Sequence, residues 1–233
     1  MEVMRRGLAT WIGGLLLAAG ALATVAGAAE AWVAVTRETH PGLPGNEIQF
    51  LSPARDGGVW VGTLSGLGRL TGNECSTVVE KIEAWCVLEA GDGGLWVGHH
   101  NGVLRRTAEG KTTAALAGHT VSPIVEIRPG VLWALAKERA TETNRLMAWA
   151  GKEWTPVPGS EKLRAVDLFQ SRKGQLWVSV DGNGVLEVGA DGDLAQARHH
   201  HRGLNVSTVA EDGHGRIWCG FWSRGAAVWD GAT

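Results

Sequence analysis

Asp56-Gly57-Gly58-Val59-Trp60-Val61-Gly62 decides how the rest of this 233-residue chain is read, because the chain repeats it. It returns as Asp92-Gly93-Gly94-Leu95-Trp96-Val97-Gly98, as Lys173-Gly174-Gln175-Leu176-Trp177-Val178-Ser179, and as His214-Gly215-Arg216-Ile217-Trp218-Cys219-Gly220. A worn copy lies at Arg128-Pro129-Gly130-Val131-Leu132-Trp133-Ala134. The five tryptophans Trp60, Trp96, Trp133, Trp177 and Trp218 are spaced by 36 to 44 residues. A period of that length is one four-stranded propeller blade.

Working outward, each copy has the same grammar. An alternating run precedes it, such as Ile48-Gln49-Phe50-Leu51 or Ala165-Val166-Asp167-Leu168-Phe169, and alternation with period two marks a strand with one buried face. An Asp/Gly turn follows, where glycine supplies the positive φ that a hairpin needs. After the Trp-Val-Gly strand another glycine (Gly66, Gly102, Gly184 or Gly225) opens a third strand. A weaker fourth precedes the next copy, as in Lys152-Glu153-Trp154-Thr155-Pro156-Val157. The fold class expected is therefore all-β, a β-propeller of about five four-stranded blades or an incomplete part of a larger, for example seven-bladed, one. A lone four-stranded sheet leaves apolar faces wet, and stacking sheets around an axis covers them. One indole per blade fills the gap between neighbours. Each Trp buries about 150–250 Å², on the order of 4–6 kcal/mol at ~25 cal/mol/Å². The repeated Trp is accordingly read as core rather than as ligand contact.

Composition agrees. The chain has 34 Gly and 12 Trp with no Tyr and 3 Phe, the balance of a chain with many tight turns and short strands. A net charge of −2 gives no electrostatic case for a nucleic-acid partner. At the N-terminus, Arg5 and Arg6 precede an uncharged stretch from Gly7 to Ala29, followed by small-residue exits at Ala26-Gly27-Ala28 and Ala29-Glu30-Ala31. These are the parts of a secretory signal peptide, with an uncleaved membrane anchor as the alternative. Residues 1–31 are assigned to a signal-peptide helix and 32–233 to the propeller, which places the protein on the periplasmic or extracellular side. The cysteines are Cys75, Cys86 and Cys219. The first two are near enough in sequence to pair; Cys219 replaces the Val of other copies and reads as a small buried hydrophobe.

The copies resemble the two-component regulator propeller repeat, whose pattern is Asp-x-x-Gly-x-Leu-Trp-x-Gly-Thr followed by Gly-Leu-x-Arg. Asp56 to Leu70 fits nearly throughout, with Gly62-Thr63, Gly66-Leu67 and Arg69 in place. Glu89 to Arg105 and Val166 to Val188 fit well, and Thr208 to Trp229 fits with Cys219 and Phe221 as departures. Val125 to Trp149 keeps only the Trp and the strand rhythm. Thr39 to Ile48 and Arg202 to Val209 resemble the connectors that lead into a blade. The resemblance implies an extracytoplasmic sensor module of a bacterial sensor kinase, with a small ligand (an oligosaccharide among the options) or a partner protein docking on the propeller face, and a homodimer carrying the signal inward. The chain has no kinase histidine motif and stops after a third strand. That ending favours a fragment with receptor domains downstream over a free-standing propeller. On either reading, Ala31-Trp32-Val33-Ala34-Val35-Thr36 is expected to supply the outer strand of the last blade.

Loops held on a rigid scaffold carry function, so the candidate site is the connector face around the channel: His40 to Asn46, Gly118 to Pro123 and His199 to Ser207. The candidate ligand-binding residues are His40, Asn46, His119, His201 and Asn205. These loops contain no Trp, which weakens the case for sugar stacking. The run His199-His200-His201 is read as a solvated connector, since adjacent strand residues point to opposite faces, and His99-His100 as the turn after a strand. Asp181-Gly182-Asn183-Gly184 and Asp191-Gly192-Asp193 lack the further ligands of a calcium loop. No metal or cofactor is expected, no catalytic residue is assigned, and no nucleophile elbow, P-loop or dinucleotide fingerprint is present. The enzymatic alternative is a propeller lyase of the streptogramin-inactivating kind, using a His base and a metal. A purely structural scaffold is the third reading.

Overall fold

A computed structural model describes residues 33–189 and 191–231. Residues 1–32, which include the expected signal-peptide segment, lie outside the described residues. The rest is a β-propeller of five antiparallel sheets met in chain order. Blade 1 holds β1 (Ile48–Pro53), β2 (Val59–Thr63), β3 (Gly66–Thr71) and β4 (Glu74–Glu80). Blade 2 holds β5 (Ala84–Glu89), β6 (Leu95–His99), β7 (Gly102–Arg106) and β8 (Thr112–Ala115). Blade 3, the worn copy, holds β9 (His119–Arg128), β10 (Val131–Glu138), β11 (Thr143–Trp149) and β12 (Trp154–Pro156). Blade 4 holds β13 (Ala165–Gln170), β14 (Leu176–Val180), β15 (Gly184–Val188) and β16 (Arg198–His200). Blade 5 holds only β17 (Val206–Glu211), β18 (Ile217–Phe221) and β19 (Gly225–Trp229).

The first strands of successive blades lie against one another, β1 on β5, β5 on β9, β9 on β13 and β13 on β17, so they line the axis. The first hairpin is built alike in four blades. Ala54, Ala90, Ser171 and Asp212 each donate a backbone N–H four residues on, to the carbonyl of Gly58, Gly94, Gln175 and Arg216. The turn between needs a left-handed residue, supplied by Gly57, Gly93, Gly174 and Gly215 at φ of 79 to 87°. The turn aspartate has a second duty. Asp56 and Asp92 accept the backbone N–H of Gly58 and Gly94 and pair with Arg69 and Arg105. Each of those guanidiniums stands 5.0 Å from the ring of Trp60 or Trp96. Asp, Trp and Arg of the repeat thus form one stacked unit, a cation over an indole held by a turn carboxylate. In blade 5 the cation is Arg216, 5.6 Å from the ring of Trp218 and paired with Asp212.

The cores lie between blades. Trp60 packs with Leu67, Ala84, Leu95 and Val97 at the first junction. Trp96 meets Val121, Ile124 and Leu132 at the second, Trp133 meets Leu168, Leu176 and Val178 at the third, and Trp177 meets Val206, Val209 and Ile217 at the fourth. Polar ties cross the same junctions. Trp60 donates its Nε1–H to Glu89 Oε1 at 2.6 Å. Arg55 and Arg172 reach to Glu89 and Glu211 of the following blade.

Trp60, Trp96, Trp133 and Trp177 are 7, 6, 3 and 2 % exposed, but Trp218 is 37 % exposed, with no further sheet against it among the described residues. Blade 5 lacks its outer strand: Val33–Thr36 form none, and Ala31 and Trp32 lie outside the described residues, so the expected closing strand is absent from what is described. Cys75 and Cys86 are not joined. They sit on the outermost strand of blade 1 and the innermost of blade 2. Cys219 is buried, as expected of a Val replacement. Among the described residues no helix is long and apolar enough to cross a membrane.

Candidate functional site: the connector face

One end of the propeller is made by the connectors between blades and by the turns joining second and third strands. Backbone hydrogen bonds knit the two sets. Leu64 donates to Glu47, His100 to Glu83, Arg139 to Gly118, Asp181 to Arg164 and Trp222 to Asn205. Each turn is thereby fixed to its own blade's connector, which gives a rigid rim.

Two of the five expected residues, His40 and Asn46, lie in the first connector and make contacts within it. His40 is 5 % exposed. Its backbone N–H donates to Thr36, its Nδ1 lies 2.9 Å from Thr39 Oγ1, and its Nε2 is enclosed with no hydrogen-bond partner. The connector there folds down on the outer half of blade 1. Thr77 Oγ1 donates to the Gly42 carbonyl at 2.8 Å, Leu43 is 1 % exposed, and a side chain on Gly42 would stand 1.9 Å from the Cys75 carbonyl oxygen. Asn46 holds the same segment, its Oδ1 accepting the Arg37 backbone N–H at 2.8 Å. His40 is thus enclosed, whereas Asn46 stays exposed while it holds the segment.

The other three stand on the rim in two groups. At the junction of blades 2 and 3, His119 is half-buried. Beside it, Asn101 Oδ1 accepts the Gly118 N–H at 2.9 Å and lies 3.5 Å from Arg139 Nη1. His100 Nδ1 is 3.6 Å from Glu83. His99 closes the group: its Nδ1 accepts the Asn101 N–H at 3.2 Å, and burial, with His100 next to it, lowers its pKa. At blade 5, Asn205 and His201 are exposed, and the His201 ring meets Phe221 edge-on at 5.3 Å. Next to them Trp222 is 58 % exposed. Sequence reasoning left Trp222 out because it lies in the β18–β19 turn rather than in a connector. Leu64 holds the same place in blade 1 and is 43 % exposed. A cleft of about 500 Å³ opens between blades 3 and 4, lined by Arg145, Ser160, Lys162, Arg164 and Asp181. Its connector was not among the three expected.

The histidine run is not a solvated connector throughout. Arg198–His200 form β16, His200 Nε2 is 3.1 Å from Glu187 Oε2, and its ring packs on Trp177 and Trp229 at 5.4 and 5.6 Å. Only His201, at φ 53°, turns out of the strand. Away from the rim, a lateral cleft of about 920 Å³ between the outer halves of blades 2 and 3 is lined by Trp96, Trp149 and Trp154, whose rings stand 5.0 to 6.0 Å apart. Among the described residues no group of three or more His, Cys, Asp or Glu is placed to hold a metal ion.

Comparison with known proteins agrees with this architecture. The two component regulator propeller family matches residues 42–65, which run from the Gly42 connector through the first Trp strand. No curated protein matches the chain. The extracellular domain of a hybrid two component system from B. thetaiotaomicron is 18 % identical with a TM-score of 0.60, over 80 % of this chain and 27 % of that one. A second such domain from the same organism is 12 % identical with a TM-score of 0.53, over 82 % of this chain and 32 % of the other. The chain thus spans about a third or less of those domains. Virginiamycin B lyase from Staphylococcus aureus, solved with quinupristin, is 18 % identical with a TM-score of 0.59, over 77 % of this chain and 66 % of the lyase. Residues 42–65 carry the repeat that matches the two component regulator propeller family, and four further copies build sheets of similar design in the same propeller fold.

Proposed function

We propose that this chain is the propeller part of an exported two-component sensor, and that its connector face is where a signal ligand or partner protein docks. Support comes from the regulator repeat and from the extracellular sensor domains that share its fold. The observation that carries the site is Trp222. An indole 58 % exposed, on a turn tied to the Asn205 carbonyl at 3.2 Å, is a pre-set stacking surface. Asn205 and His201 beside it supply polar groups. The role is recognition, with output passed to a kinase region outside these residues.

Tryptophan fluorescence titrations with cello-, malto- and chito-oligosaccharides test the small-ligand form of this reading. Saturable binding that is lost in Trp222→Ala and kept in Trp154→Ala supports the connector face. Binding lost only in Trp154→Ala moves the site to the lateral cleft. A likeness to virginiamycin B lyase gives the enzymatic alternative its own check: ring-opening elimination of quinupristin by this chain, followed by mass spectrometry, would replace recognition with catalysis.

A further inference from the structure

The junction of blades 2 and 3 differs from its neighbours in one small residue. On the outermost strand of each four-stranded blade, one residue stands at the same place against the third strand. Val79 lies opposite Leu67, Ala115 opposite Val103 and His200 opposite Val185, and in blade 3 Val157 donates its N–H to Leu146 at 2.9 Å. Val79 packs in the core that holds Trp60, Val157 in the core that holds Trp133, and His200 on the Trp177 ring at 5.4 Å. Ala115 is too short to do the same for Trp96, and the lateral cleft of about 920 Å³ lies there instead. Its size falls in the roughly 300–1,000 Å³ range of ligand pockets. Blades 2 and 3 are each flanked by described sheets on both sides, so the cleft does not depend on where the blade series begins or ends.

Its walls are aromatic. Trp149 and Trp154 stand opposite each other on β11 and β12, and their rings lie 5.0 and 5.7 Å from that of Trp96. Complementarity of charge selects the occupant. The formal charges at the cleft are matched, Arg105 by Asp92 and Lys152 by its chain neighbour Glu153, while Glu126 Oε1 accepts the Gly130 N–H at 2.9 Å. What is left over is partial positive charge. Among the described residues the Nε1–H groups of Trp96 and Trp149 have no acceptor, and neither is enclosed as that of Trp154 is. The matching ligand is uncharged, with apolar ring faces, carbonyl acceptors and few donors of its own. A polyproline segment has these properties, since its rings are apolar, it carries no N–H, and its carbonyls make no internal hydrogen bonds. Aromatic-lined grooves take such segments at low ordering cost.

We propose that the cleft between blades 2 and 3 binds a proline-rich peptide segment, its rings against Trp149 and Trp154 and its carbonyls on the free indole N–H groups. The site is separate from the connector face and does not rest on what docks there.

A polyproline peptide labelled at one end, titrated with the whole chain and followed by fluorescence anisotropy, tests this. Saturable binding is expected, with none for a Gly/Ser peptide of the same length. Trp149→Ala is expected to weaken it about tenfold or more. Ala115→Leu deletes nothing and fills the cleft, so it is expected to weaken binding similarly while circular dichroism shows the fold kept. Val79 and Val157 show that a branched side chain is accommodated at this place. Trp222→Ala is expected to bind as wild type does, which separates this site from the connector face. Absence of saturable binding, equal binding of the Gly/Ser peptide, or an affinity unchanged in both Trp149→Ala and Ala115→Leu overturns the proposal, as does a loss confined to Trp222→Ala.

Discussion

Trp177→Ala measures what the repeated indole contributes, and Trp218→Ala is its built-in control. Trp177 is 2 % exposed, lies among Val206, Val209 and Ile217 of blade 5, and meets the Trp229 ring at 5.3 Å. Truncating an enclosed Trp costs about 3–5 kcal/mol, from lost transfer energy and from the cavity left behind. That is a large share of the roughly 5–15 kcal/mol by which a domain is stable. Trp218 occupies the same place in its own blade but has no sheet beyond it among the described residues, and 37 % of it is exposed. Its truncation is expected to cost about 1 kcal/mol, close to the range of surface substitutions. Urea unfolding followed by circular dichroism and fluorescence gives both values. The expected gap is about 2–4 kcal/mol with little change in slope. Equal losses for the two variants would refute the reasoning, since they would place the contribution within a blade rather than between blades.

Two further outcomes follow from buried titratable groups. Burial raises the pKa of Asp167 against the hydrogen bonds it accepts from Thr208, Leu168 and Val209. A carboxyl with a raised folded pKa contributes most to stability below its unfolded value, and loses that contribution as pH rises through the folded one. Asp167→Asn has no charge to bury, so its urea midpoint is expected to gain on wild type as pH rises from about 4; a constant difference across pH would exclude this. Burial pushes the thiols of Cys86 and Cys219 up to about 11. Labelling of both by a thiol reagent at neutral pH is expected to be slow in the folded chain and fast in urea, and immediate modification of all three cysteines in the folded chain would contradict it.

Much of the fold was legible because its signals are local. The turn aspartate, the left-handed glycine, the indole and the arginine sit at fixed short spacings, and each has a partner within its own blade, as Asp92 and Arg105 show. Blade 3 was legible only through Trp133. The ends were not legible, because exposure of Leu51 and Trp218 depends on sheets that no short window of sequence describes. The same holds for the site. His40 looks like a rim residue from its connector, yet whether that stretch faces solvent or folds onto a sheet is decided by Gly42 meeting β4. His200 was placed in a connector because Arg198–His200 is a strand of three residues, too short to show alternation. Trp222 was not legible as a rim residue because the β18–β19 turn reaches the connector face only through the fold, by its hydrogen bond to Asn205.

The central claim is that the repeated indole acts across the gap between neighbouring sheets. Trp60 and Glu89, 29 residues apart and joined by one hydrogen bond between blades 1 and 2, test it most directly. A double-mutant cycle with Trp60→Phe and Glu89→Ala is expected to give a coupling energy of about 0.5–3 kcal/mol, the range for groups in contact. Additive losses, with no coupling, would mean that the two side chains do not meet and that the blades are not wedged together as described.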